Sequence, residues 1–417
     1  MKALRLAWLL AALAAPAGAV TLDDAIAAAL AHDPSITIAD AERDAAGGRV
    51  TQARSAGLPT VTVRGSAGYG RLDPQGFFGL GSASVTPVTA QAAIEQPIFN
   101  GGRVAAETAR ARAGLAVAEA GRSRARADLA ANVAAVYGEV LTTATMVGAW
   151  QRLRDQTAEI ARQAQLRYKA GEAPSTDVAQ ANARMAEAQG GLAAAEGAVA
   201  AAHARYRSLV GDEPVNLAPL PAGPVAPASL DEAVALAAHN SLAIAGAEAG
   251  LVAARAAGRG ARAERLPTVG AFAEAGTVRD QFFPDYRANT ATIGVRAVWQ
   301  LYNGGRVGGR ITETDADTRA AEARLRAAKS QVEEQVITLF EGLRTARLVA
   351  AAAAEQARAS EQARSSIAHE VRVGIKPPLD LLDAEREAIT ATARAAGAEV
   401  AKLTLAYRLA AALGPVG

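Results

Sequence analysis

Gln96-Pro-Ile-Phe-Asn-Gly-Gly-Arg-Val104 decides how the chain is read, and it is echoed at Trp299-Gln-Leu-Tyr-Asn-Gly-Gly-Arg-Val307. In each copy an alternating, strand-like run ends, Asn-Gly-Gly makes a turn, and a very long helical pattern starts at the Arg. Glycine supplies the φ > 0 conformations that such a turn needs. Asn100, Gly101, Gly102, Asn303, Gly304 and Gly305 therefore read as strand-to-helix punctuation. A Gly-Gly ahead of a helix also suits phosphate. Neither copy, however, carries a P-loop Lys-Ser/Thr or the acidic residue of a dinucleotide fingerprint, and no cofactor is expected.

The echo belongs to a duplication of the whole chain. Thr21-Leu-Asp-Asp-Ala-Ile matches Ser229-Leu-Asp-Glu-Ala-Val at an offset of 208, and Leu58-Pro-Thr-Val61 matches Leu266-Pro-Thr-Val269 at the same offset. The Asn-Gly-Gly copies stand 203 apart, as do Tyr168-Lys-Ala-Gly171 and Val371-Arg-Val-Gly374. The change of five falls between the two strands of each half, where a variable surface loop is expected. Residues 20–211 form the first repeat, 212–228 a Pro-rich linker, and 229–417 the second repeat. Within the repeats, strands are predicted over about 59–72, 85–99, 267–279 and 289–302. Long helices are predicted over about 103–168, 174–210, 306–371 and 377–413, with shorter helices opening at the N-caps Thr21 and Ser229.

Residues 1–19 read as a secretory signal peptide: Lys2 and Arg5, an apolar run from Leu6 to Ala14, and the small-residue site Ala17-Gly18-Ala19. No later segment is apolar enough for a transmembrane helix, so any span of a membrane is expected to be β. The 417 residues include no Cys, which excludes disulfides, thiolate metal sites and a lipidated N-terminal Cys. The four His stand alone in sequence, so no metal site is expected. The net charge of +2 arises from Arg and Glu interleaved along helices, and it excludes a nucleic-acid footprint. No catalytic constellation is present, and the chain is not expected to be an enzyme.

The strand at Ala291–Trp299 alternates cleanly, as does the one at 60–69. A helix of about 65 residues extends on the order of 100 Å at 1.5 Å per residue, and it needs partners along its length. Four amphipathic strands leave open edges and cannot close a barrel alone. Several chains pooling their strands would solve both problems.

The duplicated helix–strand–strand–Asn-Gly-Gly–long-helix order, the Gln96–Arg103 stretch, and the Tyr-x-x-Gly…Asp-Val-x-x-Ala pattern at Tyr168–Ala181 together resemble the TolC family of outer-membrane efflux proteins, the outer membrane factors. The resemblance covers essentially the whole mature sequence. It implies an α+β membrane protein and a homotrimer. Each chain would give four strands to a twelve-stranded barrel, continued by a long periplasmic α-helical barrel. It also implies a passive duct through the outer membrane of a Gram-negative cell, in contact with outer-membrane lipid. A periplasmic adaptor (membrane fusion) protein and an inner-membrane pump or exporter would be its partners, in tripartite efflux or type I secretion. The alternative, a periplasmic coiled-coil adaptor or scaffold, explains the helices but not the four strands. Gln300 departs from the family, which usually repeats the Pro found at Pro97, and Val371 stands where the first half has Tyr168.

The helix breaks near Gly171 and Gly374 would form the periplasmic tip. Asp380 and Asp383 lie three apart on one helix face. Their spacing suits either a helix-dipole pair or a ring of carboxylates, and the resemblance implies the ring, at a pore constriction. It further implies that Asp177, with Arg372 or Lys376, helps hold the tip closed. Arg167, Gly171, Ser175, Thr176 and Gly374 would make the adaptor-docking tip.

Overall fold

The computed structural model describes residues 19–73, 82–282 and 284–414. The expected signal peptide (but for its last residue), the Gly76–Gly79 loop and Phe283 lie outside the described residues. The first repeat runs α1 (Leu22–His32), α2 (Pro34–Ser55), β1 (Thr60–Ala67), β2 (Gly70–Leu72), β3 (Ala83–Val85), β4 (Val88–Phe99), α3 (Arg103–Lys169) and α4 (Ser175–Val210). The second runs α5 (Leu230–Asn240), α6 (Leu242–Ala263), β5 (Thr268–Arg279), β6 (Arg287–Val298), α7 (Arg306–Arg372) and α8 (Pro378–Leu413).

The helices start where the sequence offers caps. Thr21 and Asp24 form a capping box: the Asp24 N–H donates to Thr21 Oγ1 at 3.2 Å and the Thr21 N–H donates to Asp24 Oδ2 at 3.0 Å. That geometry holds the Asp24 carboxyl below its ordinary value. Ser229 repeats half of the arrangement, accepting from the Glu232 N–H at 3.2 Å.

The two compact units are not the two sequence repeats. Among the described residues, one gathers those of 19–38, 122–242 and 331–414, the other those of 39–121 and 243–330, so each takes matching pieces from both halves. The first unit is helical. Its core packs Leu22, Ala25 and Ala29 of α1 against Val133 and Tyr137 of α3 and Tyr206 of α4. A small residue brings α3 close to α8: a Cβ at Gly138 would lie 2.6 Å from Val400 Cγ2. The Pro-rich linker is bound to this core. Val20 and Leu217 form a parallel bridge, and the Tyr137 hydroxyl lies 2.8 and 2.7 Å from the Val20 and Ala218 carbonyls.

The second unit holds the sheet, antiparallel throughout in the order β1-β4-β5-β6. Two expected strands are shorter or broken. The run 59–72 divides at Gly68-Tyr69, and the run 85–99 starts only at Val88, with β2 and β3 pairing as a separate ribbon. Pro87 has no N–H to continue the ladder; its carbonyl instead accepts from the Gly68 N–H at 3.0 Å. The strand read over 289–302 runs from Arg287 to Val298, leaving residues 299–302 without a partner strand among the described residues.

Both copies of the organising stretch build the same turn. Gly101 and Gly304 each have φ +62, and Asn100 and Asn303 each accept from the N–H four residues on at 3.4 Å. Even the strand ends correspond. Gln96 Nε2 donates to the Gly57 carbonyl at 3.0 Å, and Trp299 Nε1 donates to the Arg265 carbonyl at 3.1 Å, 208 residues after Gly57.

Candidate functional site

The breaks after α3 and α7 are matching Schellman turns. The Glu172 N–H donates to the Arg167 carbonyl at 2.9 Å and the Gly171 N–H to the Tyr168 carbonyl at 3.0 Å. In the second copy Ile375 donates to Glu370 at 2.9 Å and Gly374 to Val371 at 3.1 Å. Gly171 at φ +77 and Gly374 at φ +80 occupy the left-handed position that favours glycine. Arg167, Ser175 and Thr176 are exposed around the first turn, Arg372 at the second.

Asp380 and Asp383 lie in the first turns of α8 and line one polar cleft with Arg386, Glu387 and Arg394. They differ in their partners. Asp383 pairs with Arg184 of α4 at 2.9 Å, whereas no ion pair to Asp380 is present among the described residues. No link of Asp177 to Arg372 or Lys376 is present among the described residues of the single chain. Lys376 bonds to Glu370 at 3.0 Å, because the Schellman turn folds it back over the end of α7.

Three residues absent from the sequence-based expectation dominate this region. Arg184 also bonds Glu187 at 3.0 Å, and Glu187 accepts from Arg386 at 3.1 Å. Arg184-x-x-Glu187 on α4 thus faces Asp383-x-x-Arg386 on α8, a complementary pattern present in the sequence but visible only once the two helices are paired. Hydrogen bonds from Arg386 and then Arg184 hold the Glu187 carboxyl below its ordinary 4.5. Deeper in the bundle, Arg364 grips Glu361 through two nitrogens at 2.9 and 2.6 Å and reaches buried Glu385 at 2.8 Å. Arg364 is raised accordingly and Glu361 lowered.

The sheet carries a separate candidate surface. Register places Val61, Ile94, Ala273 and Ile293 in one row across all four strands. The adjacent positions Thr62, Ala93, Glu274 and Thr292 form a row on the opposite face. Val61 is 69% exposed and Ile293 85%, so an apolar face stands open on the single chain. Among the described residues no helix is long and apolar enough to cross a membrane.

Residues 25–212 and 233–415 match the outer membrane efflux protein family. The chain belongs to that family. An outer membrane efflux protein of Brucella suis, BepC, is 29% identical over 264 residues, which are 61% of this chain and 56% of that relative. Among solved structures, the outer membrane protein VceC of Vibrio cholerae is 21% identical with a TM-score of 0.76, covering 94% of this chain and 96% of that one. The Campylobacter jejuni outer membrane channel CmeC is 14% identical with a TM-score of 0.81, covering 94% and 85%. The efflux protein thus has the α+β fold of the trimeric TolC-like channels, in which the barrel is formed by pooling four strands per chain. It is an outer-membrane protein with a periplasmic helical part, of a family of transporters rather than enzymes.

Proposed function

We propose that three copies of this efflux protein form a passive duct from periplasm to exterior, opened at its periplasmic tip when an adaptor and an inner-membrane pump or exporter engage it. The observation that carries this reading is the exposed apolar row Val61–Ile94–Ala273–Ile293 on a sheet with two unpaired edges. Such a face is stable against lipid, and such edges are stable only when closed by further strands. A family of outer membrane efflux proteins supplies the setting. The duct serves tripartite efflux or type I secretion, both of which need an outer component without chemistry of its own. Reconstitution in a planar bilayer tests it: discrete single-channel conductance is expected, and a trimer that never conducts would overturn the duct.

The two turns at Gly171 and Gly374 form the tip, with Arg167, Ser175 and Thr176 offered to the adaptor. Rings of Asp380 and Asp383 line the constriction, Asp383 held by Arg184 in the closed state. Asp177, with Arg372 or Lys376 of a neighbouring chain, helps hold the tip closed. Asp380→Asn together with Asp383→Asn is expected to weaken block of the current by divalent cations, and unchanged block would remove the ring from the proposal. Arg167→Glu is expected to weaken adaptor capture.

A further inference from the structure

The internal duplication fixes a strand register that no single chain contains. Thr60 pairs with Glu95 in the first hairpin and Thr268 with Val298 in the second. These pairs are related by the same offsets, 208 and 203, that relate the sequence motifs. The hairpins are therefore equivalent residue for residue. They are joined by β4 and β5, in which Ala92 pairs with Ala275, Gln96 with Ala271 and Pro97 with Gly270. Applying the two offsets to that join carries β4 onto β6 and β5 onto β1.

We infer that β6 of one copy pairs antiparallel with β1 of the next in the register Val295 to Ala67, Trp299 to Val63 and Gln300 to Thr62, and that the Asn303-Gly304-Gly305 turn seats against the neighbour's Ser55–Leu58 segment. The inference rests on the barrel being closed by further copies of this chain, as proposed above. Two independent asymmetries support it. Gln96, Pro97 and Phe99 are strand residues paired with β5, whereas their counterparts Trp299, Gln300 and Tyr302 lie outside any strand, with Tyr302 87% exposed. A Cβ on Gly101 would lie 2.8 Å from the Ala263 carbonyl and 2.9 Å from Leu266 Cβ, while one on Gly304 would meet nothing within 4 Å. Ala263 and Leu266 correspond to Ser55 and Leu58, and Leu58 is itself 59% exposed. The chain thus encloses one turn and leaves its twin, and the surface that would enclose it, both uncovered. The register also keeps faces matched: Val295, Ala297 and Trp299 meet Ala67, Gly65 and Val63, all on the apolar side. A slip of one residue would put Arg296 or Val298 on the wrong side of the sheet.

Because the chain has no Cys, introduced pairs report without background. Val295→Cys with Ala67→Cys in one chain is expected to convert monomer into a covalent ladder ending at trimer, reversed by reductant. Val295→Cys with Gly65→Cys or with Tyr69→Cys samples a two-residue slip in either direction. Directly opposed Cβ atoms stand about 4.5–5.5 Å apart and diagonal ones about 7–8 Å, so these pairs are expected to stay largely monomeric on denaturing gels. Trp299→Cys with Val63→Cys tests the same register two residues further on, should the first pair disturb assembly. Preferential linkage through position 65 or 69 in a protein of trimeric native mass overturns the register alone. A monomeric native mass with no linkage in either matched pair overturns both the register and the duct.

Discussion

Arg184→Ala should loosen the closed tip. The substitution removes two bonds, to Glu187 at 3.0 Å and to Asp383 at 2.9 Å, the second of which ties α4 to α8. The side chains are 36%, 40% and 56% exposed, so solvent screens them strongly. At that exposure a pair stabilises by about 0.2–1 kcal/mol, and only Arg184–Asp383 is lost on opening, since Arg184–Glu187 lies within α4. Three chains opening together would lose about 0.6–3 kcal/mol, which at about 1.4 kcal/mol per factor of ten is roughly a threefold to hundredfold change in the open-to-closed ratio. The assay is open probability of single channels in planar bilayers at about 0.1 M salt, repeated at about 1 M, where screening within about 3 Å should shrink the difference from wild type. Arg162→Ala is the control, since Arg162 bonds Glu159 at 2.6 Å within α3 and ties no two helices together. Equal open probability for wild type and Arg184→Ala at low salt would refute the reasoning, as would an equal response from Arg162→Ala.

The same clasp carries a pH dependence. Glu187 is depressed below 4.5, so its contribution is complete above about pH 4.5 and is lost as pH falls through the depressed value; open probability should rise on acidification below pH 4.5, with a smaller rise in Arg184→Ala. Tyr137→Phe should lower the thermal dissociation temperature, because it strips the hydroxyl shared by the Val20 and Ala218 carbonyls and costs about 1–3 kcal/mol. Limited proteolysis should then cut the 212–228 segment faster than in wild type. Gly101→Ala should impair folding of the chain, since its Cβ would press within 2.8 Å of a backbone carbonyl at φ +62. Loss of heat-modifiable trimer from membranes is the measure, and wild-type recovery would count against the packing described.

What could be read from the sequence was local. Asn-Gly-Gly, the Thr21 and Ser229 caps, and the glycines after α3 and α7 each act within a few residues, and each marks an element boundary. The strand alternation was legible for the same reason. Pro87 marks the boundary locally too, since it has no N–H to extend a ladder, and β4 begins at Val88 rather than near residue 85. The ion pairs that join α4 to α8 were illegible because they are long-range: Arg386 and Glu187 are 199 residues apart, and nothing in either segment names the other. The contact that Lys376 makes within the chain was illegible for the opposite reason. Glu370 lies in the same turn as Lys376, and only the Schellman geometry brings the two together.

The two halves, compared with each other, separate what the fold requires from what it tolerates. The hairpin register, the left-handed Gly101 and Gly304, and the Asn side chains accepting four residues on are identical in both. The bond from the strand end to the residue before Leu-Pro also persists, though Gln96 supplies it in one half and Trp299 in the other. At that position a side-chain N–H is needed more than any particular residue. The surface ion pairs do not persist. Arg262–Asp315, Arg306–Glu264 and Arg255–Glu322 tie α6 to α7. Their counterparts in the first half are Arg54 with Arg112, Arg103 with Ala56, and Gly47 with Glu119, none of them a pair of opposite charges. Exposed pairs of about 0.2–1 kcal/mol can be exchanged for other contacts without moving a helix. A turn glycine at φ +62 or a one-residue change of register cannot, because the first meets backbone sterics and the second reverses the face of every side chain on the strand. The positions that hold the sheet and its turns are thus set by backbone geometry, and charge is left free to differentiate the halves.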